Sequence, residues 1–68
     1  MRIDRVKLIT EMARQDLTVK ALAEKSFVSR GTISNIKCGK TCSVLVGNAI
    51  AKALGVDVLD ITEDSKGD

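Results

Sequence analysis

Apolar positions recur every three or four residues along most of the chain, which predicts a series of short α-helices. The first is expected to begin at the N-cap residue Asp4 and to end at about Gln15. Its predicted apolar face consists of Val6, Leu8, Ile9, Met12 and Ala13. Leu17 follows, and we expect it to fix the next turn to the core.

The next three helices are each preceded by a hydroxyl residue of the kind that caps helix N-termini. The predicted segments run from Thr18 to about Lys25 or Ser26, from Ser29 to about Cys38, and from Ser43 to Leu54. Gly39 and Gly55 follow the last two segments and are expected to end them, because glycine readily adopts the left-handed conformation found there. The residues expected to face the core are Ala21, Leu22, Ala23, Ile33, Ile36, Val44, Ile50, Ala51 and Leu54.

Three further positions carry specific expectations. Gly47 lies inside the fourth helix at a cost of up to about 1 kcal/mol relative to Ala, which predicts a close packing neighbour. Phe27, in the turn before Ser29, is expected either to point outward or, as the favoured alternative, to be partly buried in the space that the small Ser26 leaves. A last short helix, capped by Asp57, is expected to include Val58, Leu59 and Ile61.

Together these elements predict one all-α domain of four to five helices over residues 1–62, followed by an acidic, disordered tail over residues 63–68. The formal net charge of +2 conceals an uneven distribution. Ten basic and four acidic residues precede Asp57, a net charge of +6, whereas one basic and five acidic residues lie from Asp57 onward, a net charge of −4. The predicted body of the domain is therefore basic and its end is acidic.

The composition excludes most catalytic chemistry. The chain has no His, which removes imidazole bases and His-ligated metals, and it shows no nucleophile–base pair or phosphate-binding loop. Cys38 and Cys42 cannot complete a four-cysteine zinc site and are expected to be reduced thiols. We therefore predict that the protein is not an enzyme, with no catalytic residue, metal, cofactor or small-molecule substrate.

Partner classes are narrowed in the same way. Phe27 is the single aromatic residue, which argues against stacking platforms for single-stranded nucleic acid. No apolar stretch has the length of a signal-peptide core or a membrane span. We expect a cytoplasmic protein without a membrane partner.

The segment from Leu17 to Lys40 contains two short predicted helices that meet at a tight turn. The first carries the small residue Ala23 where close approach is needed, and the second begins with a capping hydroxyl and has a polar outer side. This arrangement predicts a helix-turn-helix, whose second helix can enter the major groove of DNA while the first crosses the backbone.

In this segment the chain resembles the Cro/C1-type helix-turn-helix family of phage and bacterial regulators, also called XRE-like or lambda-repressor-like. The matching positions are Leu17-Thr18, Leu22-Ala23, Val28-Ser29, Thr32-Ile33-Ser34, Gly39-Lys40 and residues 50–56, and the resemblance extends over roughly residues 5–61. It implies a compact lambda-repressor-like domain that binds operator DNA.

The resemblance also implies which residues touch DNA. The base-reading positions would be Arg30, Gly31, Thr32, Ser34 and Asn35, and the phosphate-binding positions Thr18, Lys37, Lys40, Thr41 and Ser43. The side-chain chemistry agrees for three of them: Arg pairs with guanine, Asn with adenine, and the Thr methyl group with the thymine methyl.

The chain departs from the family pattern at several positions. Val19 replaces a Gln that in the family touches the phosphate backbone or a neighbouring recognition residue, and Phe27 replaces the usual Gly of the turn. Gly31 leaves the base-reading surface unusually bare. An Arg–Glu ion pair of the family is replaced by Met12 or Ala13 together with Lys37, which predicts an apolar contact and a free positive charge.

Two functions remain open. In the first, a symmetric homodimer, with Val58, Leu59 and Ile61 as contacts, binds an operator and blocks a promoter by excluding polymerase. In the second, the domain binds a partner repressor protein through a surface that includes Val19 and Phe27. It then acts as an anti-repressor or co-repressor in a phage genetic switch.

Overall fold

The structure is a computed structural model that describes residues 1–63. It contains four α-helices, α1 (Arg5–Arg14), α2 (Val19–Ser26), α3 (Arg30–Lys37) and α4 (Val44–Leu54), and a 3₁₀ helix (Val58–Asp60). The part of the chain described here has no strand, only an isolated antiparallel bridge between Ile3 and Thr62. The predicted all-α fold is confirmed.

The predicted helix caps are confirmed by their hydrogen bonds. The Asp4 carboxylate accepts from the backbone N–H of Val6 at 2.9 Å. The hydroxyls of Thr18, Ser29 and Ser43 each accept from the N–H three residues later, at 3.0 to 3.1 Å. The Asp57 carboxylate accepts from Leu59 N–H at 3.0 Å within a reciprocal capping box. Each such cap is worth about 1 kcal/mol, so local sequence alone fixes where these short helices begin.

One buried cluster holds the helices together. α2 packs against α3 and α4, α1 packs against α3, and the 3₁₀ helix packs against α4. The cluster consists of Ile3, Leu8, Met12, Leu22, Ile33, Ile36, Ile50, Ala51, Leu54 and Ile61. Leu17 packs against its edge, as predicted.

Four residues predicted to face the core lie on the surface instead. In α1 only Leu8 and Met12 are buried, whereas Val6 is 66% exposed and Ile9 and Ala13 are exposed too. These two buried residues are four apart, so neighbouring elements cover only a narrow stripe of α1. Val44 is exposed because it occupies the first position of α4, before the part of that helix that is buried.

The first three residues form a strap that the sequence pattern did not predict. The Met1 ammonium donates to the Cys42 carbonyl at 2.8 Å, and Cys42 N–H donates back to the Met1 carbonyl at 2.9 Å. The Met1 side chain lies against Gly47, where an added Cβ would overlap the Met1 sulfur. The packing neighbour predicted for Gly47 is therefore Met1.

The opposite end of the strap ties down a residue that had been assigned to the disordered tail. Glu63 N–H donates to the Arg2 carbonyl at 3.1 Å, and the Glu63 carboxylate lies 3.7 Å from Arg2 Nε. Glu63, the first residue of the predicted tail, therefore contacts the N-terminal strap, and the boundary between domain and tail stays a prediction. The remainder of the predicted tail, residues 64–68, lies outside the described residues.

Within residues 1–63, no helix combines the length and the apolar character that crossing a membrane requires.

Candidate nucleic-acid interface

α3 presents a polar face on the side opposite its buried residues. Ile33 and Ile36 are both in the core and anchor the helix. The exposed positions are Arg30, Gly31, Ser34 and Asn35. They are one, three, four or five residues apart, so they cluster along one side of a two-turn helix. The structure therefore brings four of the five predicted base-reading residues onto one accessible surface.

Thr32, the fifth, has a different environment. Its side chain is half-buried, and its hydroxyl accepts a hydrogen bond from the Ser29 hydroxyl at 2.8 Å. The hydroxyl is thus already engaged at the start of α3. The Thr32 methyl group remains available to a ligand, and it is this group that is predicted to contact a thymine methyl.

Gly31 leaves open space on the face of α3. A Cβ at this position would meet no atom within 4 Å. Packing therefore does not require a glycine here, in contrast to Gly47. The bare position allows the backbone of α3 to approach a ligand more closely than any other residue would permit.

The turn between α2 and α3 overturns the expectation for Phe27. This residue adopts a left-handed conformation, with φ 60°, and its side chain is 95% exposed. The ring does not fill the space beside Ser26, whose buried hydroxyl forms two hydrogen bonds. This hydroxyl donates to the Leu22 carbonyl at 2.7 Å and accepts from Val28 N–H at 3.3 Å.

The residues predicted to bind phosphate lie around the two ends of the helix-turn-helix. Thr18 and Ser43 are exposed at the N-termini of α2 and α4, where their hydroxyls cap the helices. Lys40 and Thr41 are exposed in the loop after α3, and Lys37 is half-buried at the end of α3. All five lie within the segment from α2 to the start of α4, and helix N-termini and lysines both attract anions.

Arg30, Lys37 and Lys40 form no ion pair within residues 1–63. In the described structure the two ion pairs are Arg2 with Glu63 and Arg14 with Glu11. Neither involves Arg30, Lys37 or Lys40. Met12 is buried in α1, and Lys37 has no carboxylate partner in this part of the chain, in agreement with the loss of the family's ion pair.

Two basic residues at this surface were missed by the sequence analysis. Lys20 lines a groove between α2 and α3 together with Ala23, Glu24 and Arg30. Lys20 comes two residues after Thr18, a predicted phosphate-binding residue, and this proximity in sequence could have indicated it. Arg2 donates from its guanidinium to the Gly39 carbonyl at 3.1 Å, beside the loop after α3. No local signal pointed to Arg2, because this contact joins residues 37 apart in sequence.

The predicted protein-contact residues differ widely in accessibility. Ile61 is fully buried, and its carbonyl accepts from Asp4 N–H, so its assignment as a dimer contact was wrong. Val19 and Val58 are half-buried against the core and offer only part of their surface. Leu59 and Phe27 are the accessible members of the set, at 74% and 95% exposed.

The two cysteines are free thiols in different environments. Cys38 is exposed, whereas Cys42 is half-buried beside the N-terminus. Burial raises the pKa of the Cys42 thiol, and the nearby Met1 ammonium opposes this effect. Residues 1–63 contain no group of three His, Cys, Asp or Glu side chains placed to hold a metal ion.

Comparison with known proteins agrees with this geometry. A family model for the Cro/C1-type HTH DNA-binding domain matches residues 7–67, which includes α2, α3 and α4 entirely. Neither curated proteins nor solved structures give a significant match. The family model and the α2–α3 arrangement lead to the same assignment: the chain belongs to the Cro/C1-type helix-turn-helix family of DNA-binding domains.

Proposed function

We propose that the protein is a transcriptional regulator that recognises operator DNA by placing α3 in the major groove and blocks the promoter it covers. The observation that carries this proposal is the exposed polar face of α3, with Arg30 and Asn35 free of partners in the described part of the fold. An α-helix fits the width of the major groove, where base pairs present distinct donor and acceptor patterns.

Arg30 and Asn35 would supply the sequence discrimination. A guanidinium donates two hydrogen bonds to the N7 and O6 atoms of guanine, and an Asn amide pairs with N6 and N7 of adenine. Each such contact discriminates against the wrong base by about 1–3 kcal/mol. Ser34 would add a single contact, and the bare Gly31 would let the helix approach the bases closely.

Phosphate contacts would set the position of α3 along the groove. Lys37 is the last residue of α3, and Lys40 and Thr41 follow it. The first backbone N–H groups of α2 and α4 lie beside Thr18 and Ser43. Such contacts carry no sequence information, but they contribute much of the affinity and make it depend on salt.

Two copies are needed for useful selectivity. One short recognition helix reads too few base pairs to find a single site among the many competing sites of a genome. Related domains solve this by binding two half-sites about one helical turn apart. A bound dimer would then exclude polymerase from an overlapping promoter.

The test is direct titration of the isolated protein with duplex DNA at low and at physiological salt. We expect binding to any duplex at low salt, and retention of a selected sequence at higher salt. Selection from a random duplex library would supply that sequence. Absence of binding to every duplex at low salt would contradict the proposal.

A second function is favoured by one observation, the almost complete exposure of Phe27 beside α3. In this alternative the domain binds a partner repressor protein and alters the occupancy of its operator. A chain that binds no DNA alone, but forms a stable complex with a repressor encoded beside it, would establish this alternative instead.

A further inference from the structure

The end of α2 and the C-terminal half of α4 enclose an apolar groove, which we call the Phe27 groove. It is lined by Lys25, Ser26, Phe27, Ala49, Lys52 and Ala53. The small side chains of Ala49 and Ala53 form its apolar wall, Phe27 stands at its edge, and two lysines flank it. None of these residues belongs to the predicted base-reading or phosphate-binding sets.

Phe27 has a left-handed backbone conformation, and its ring does not pack inside the described structure. A left-handed conformation is unfavourable for most residues that have a Cβ. Gly adopts it without this cost, and Asn tolerates it better than Phe does. The ring recovers none of this cost inside the chain, since it is 95% exposed. Strained, exposed residues of this kind concentrate where a protein meets a ligand or partner.

A complementary surface lies on the same chain, at the 3₁₀ helix, and we call it the Leu59 knob. Leu59 projects with 74% of its surface exposed, between the exposed acidic residues Asp57 and Asp60. Within residues 1–63 neither of these carboxylates forms an ion pair, and neither do Lys25 and Lys52. The knob is apolar with negative flanks, whereas the groove is apolar with positive flanks.

The two surfaces are also close together. The 3₁₀ helix packs against α4, and Val58, beside the knob, comes five positions after Ala53 in the groove. At 3.8 Å per residue, the chain keeps these two Cα atoms within about 19 Å of each other. In a dimer with two-fold symmetry, a contact between the knob of one copy and the groove of the other occurs twice.

We propose that two copies of this chain associate by reciprocal exchange, with the Leu59 knob of each copy seated in the Phe27 groove of the other. Asp57 and Asp60 then face Lys25 and Lys52 across the interface. This contact names the dimer interface that the proposed operator binding requires and in that sense rests on it, but it forms without DNA.

Sedimentation of the purified protein without DNA tests the exchange. The wild type is expected to dimerise with rising concentration between the micromolar and near-millimolar range, as small interfaces do. Phe27→Asn, which suits a left-handed position, and Leu59→Ala should each raise the dimer Kd by about tenfold or more. Leu45→Ala is the matched control, because Leu45 is 80% exposed but belongs to neither surface.

Mixing the two variants distinguishes exchange from other modes of pairing. The Phe27→Asn protein retains its knob and the Leu59→Ala protein retains its groove, so their heterodimer keeps one of the two contacts. We therefore expect the mixture to associate more tightly than either variant alone. Lys25→Glu combined with Lys52→Glu should also weaken the dimer, and added salt should weaken the wild type.

Several results would overturn the inference. A wild-type protein that stays monomeric over this concentration range would overturn it, even if the groove were found to bind a different protein. A dimer Kd that is unchanged by Phe27→Asn would indicate instead that the two 3₁₀ helices contact each other directly. Circular dichroism of each variant verifies its fold. Since no DNA is present, failure of this interface and failure of operator binding are observed separately.

Discussion

The side chains of α3 and its N-cap differ in whether they already form hydrogen bonds within the protein. Thr32 and Ser29 hydrogen-bond each other, whereas Arg30 and Asn35 have no partner in the described structure. Specific recognition requires donors and acceptors that a base edge can satisfy. Arg30 and Asn35 can each form two hydrogen bonds to one base, which the equally exposed Ser34 does not, so those two are the strongest candidates for reading sequence.

This difference in role predicts different effects of substitution. Asn35→Ala should lose about 1–3 kcal/mol of discrimination at one base pair while leaving affinity for unrelated duplexes nearly unchanged. Lys40→Ala should weaken binding to all duplexes alike and reduce the slope of log K against log salt by about one. Fluorescence anisotropy with a selected duplex and its single-base variants measures both. Equal effects from the two substitutions would refute the assignment of roles.

Phe27 permits a prediction about stability rather than binding. Replacement by Gly relieves the left-handed strain and removes no buried contact, although Gly loses more backbone entropy on folding, so we expect a net gain of about 0.5–1 kcal/mol. Phe27→Ala keeps a Cβ and serves as the control, with little change expected. Urea unfolding of the monomeric protein gives both values. A loss of stability in Phe27→Gly would show that the ring contributes to the fold.

At the scale of elements, the helices could be predicted closely because their signals are local. Asp, Ser and Thr caps and the glycines at 39 and 55 fix the ends within a few residues. Which face of a helix is covered depends instead on distant residues. The sequence therefore could not reveal that α1 exposes Val6 and Ile9, or that Met1 packs on α4.

The two helical glycines provide a matched test of this packing. Gly31→Ala meets open space and should stabilise the protein by about 0.5–1 kcal/mol through helix propensity. Gly47→Ala should give none of this gain, because its Cβ displaces the Met1 side chain. Thermal or urea unfolding of the two variants compares them. Equal gains in the free energy of unfolding would mean that the Met1 side chain does not pack against Gly47 of α4.

At the scale of the whole molecule, the sequence was sufficient to locate the candidate site on α3, but not to identify every residue that lies near it. The helix-turn-helix spacing indicated α3 and its lysines, since motif and caps are contiguous. Arg2 reaches the loop after α3 only through the tertiary fold. The burial of Ile61 in the core could not be predicted from the hydrophobic periodicity either. The basic surface around α3 and the acidic 3₁₀ helix were visible as a charge gradient along the chain.

The Cys residues give a chemical check on that tertiary arrangement. Burial raises the pKa of the Cys42 thiol, so less of it is thiolate at a given pH. With Cys38 exposed, thiol alkylation near pH 8 should modify Cys38 first and Cys42 more slowly. Mass spectrometry of peptides from partly modified protein measures the ratio. Faster modification of Cys42 would contradict the placement of the Met1 strap over it.

The central claim is that the exposed face of α3 meets the bases of duplex DNA. Its most direct test is an NMR titration of the isotopically labelled protein with a selected duplex, following the backbone amides. The account predicts the largest shift changes at residues 30–35, with further changes at residues 18–20 and 37–43, and little change along the exposed side of α1. Largest changes on α1, or no change at low salt, would contradict it.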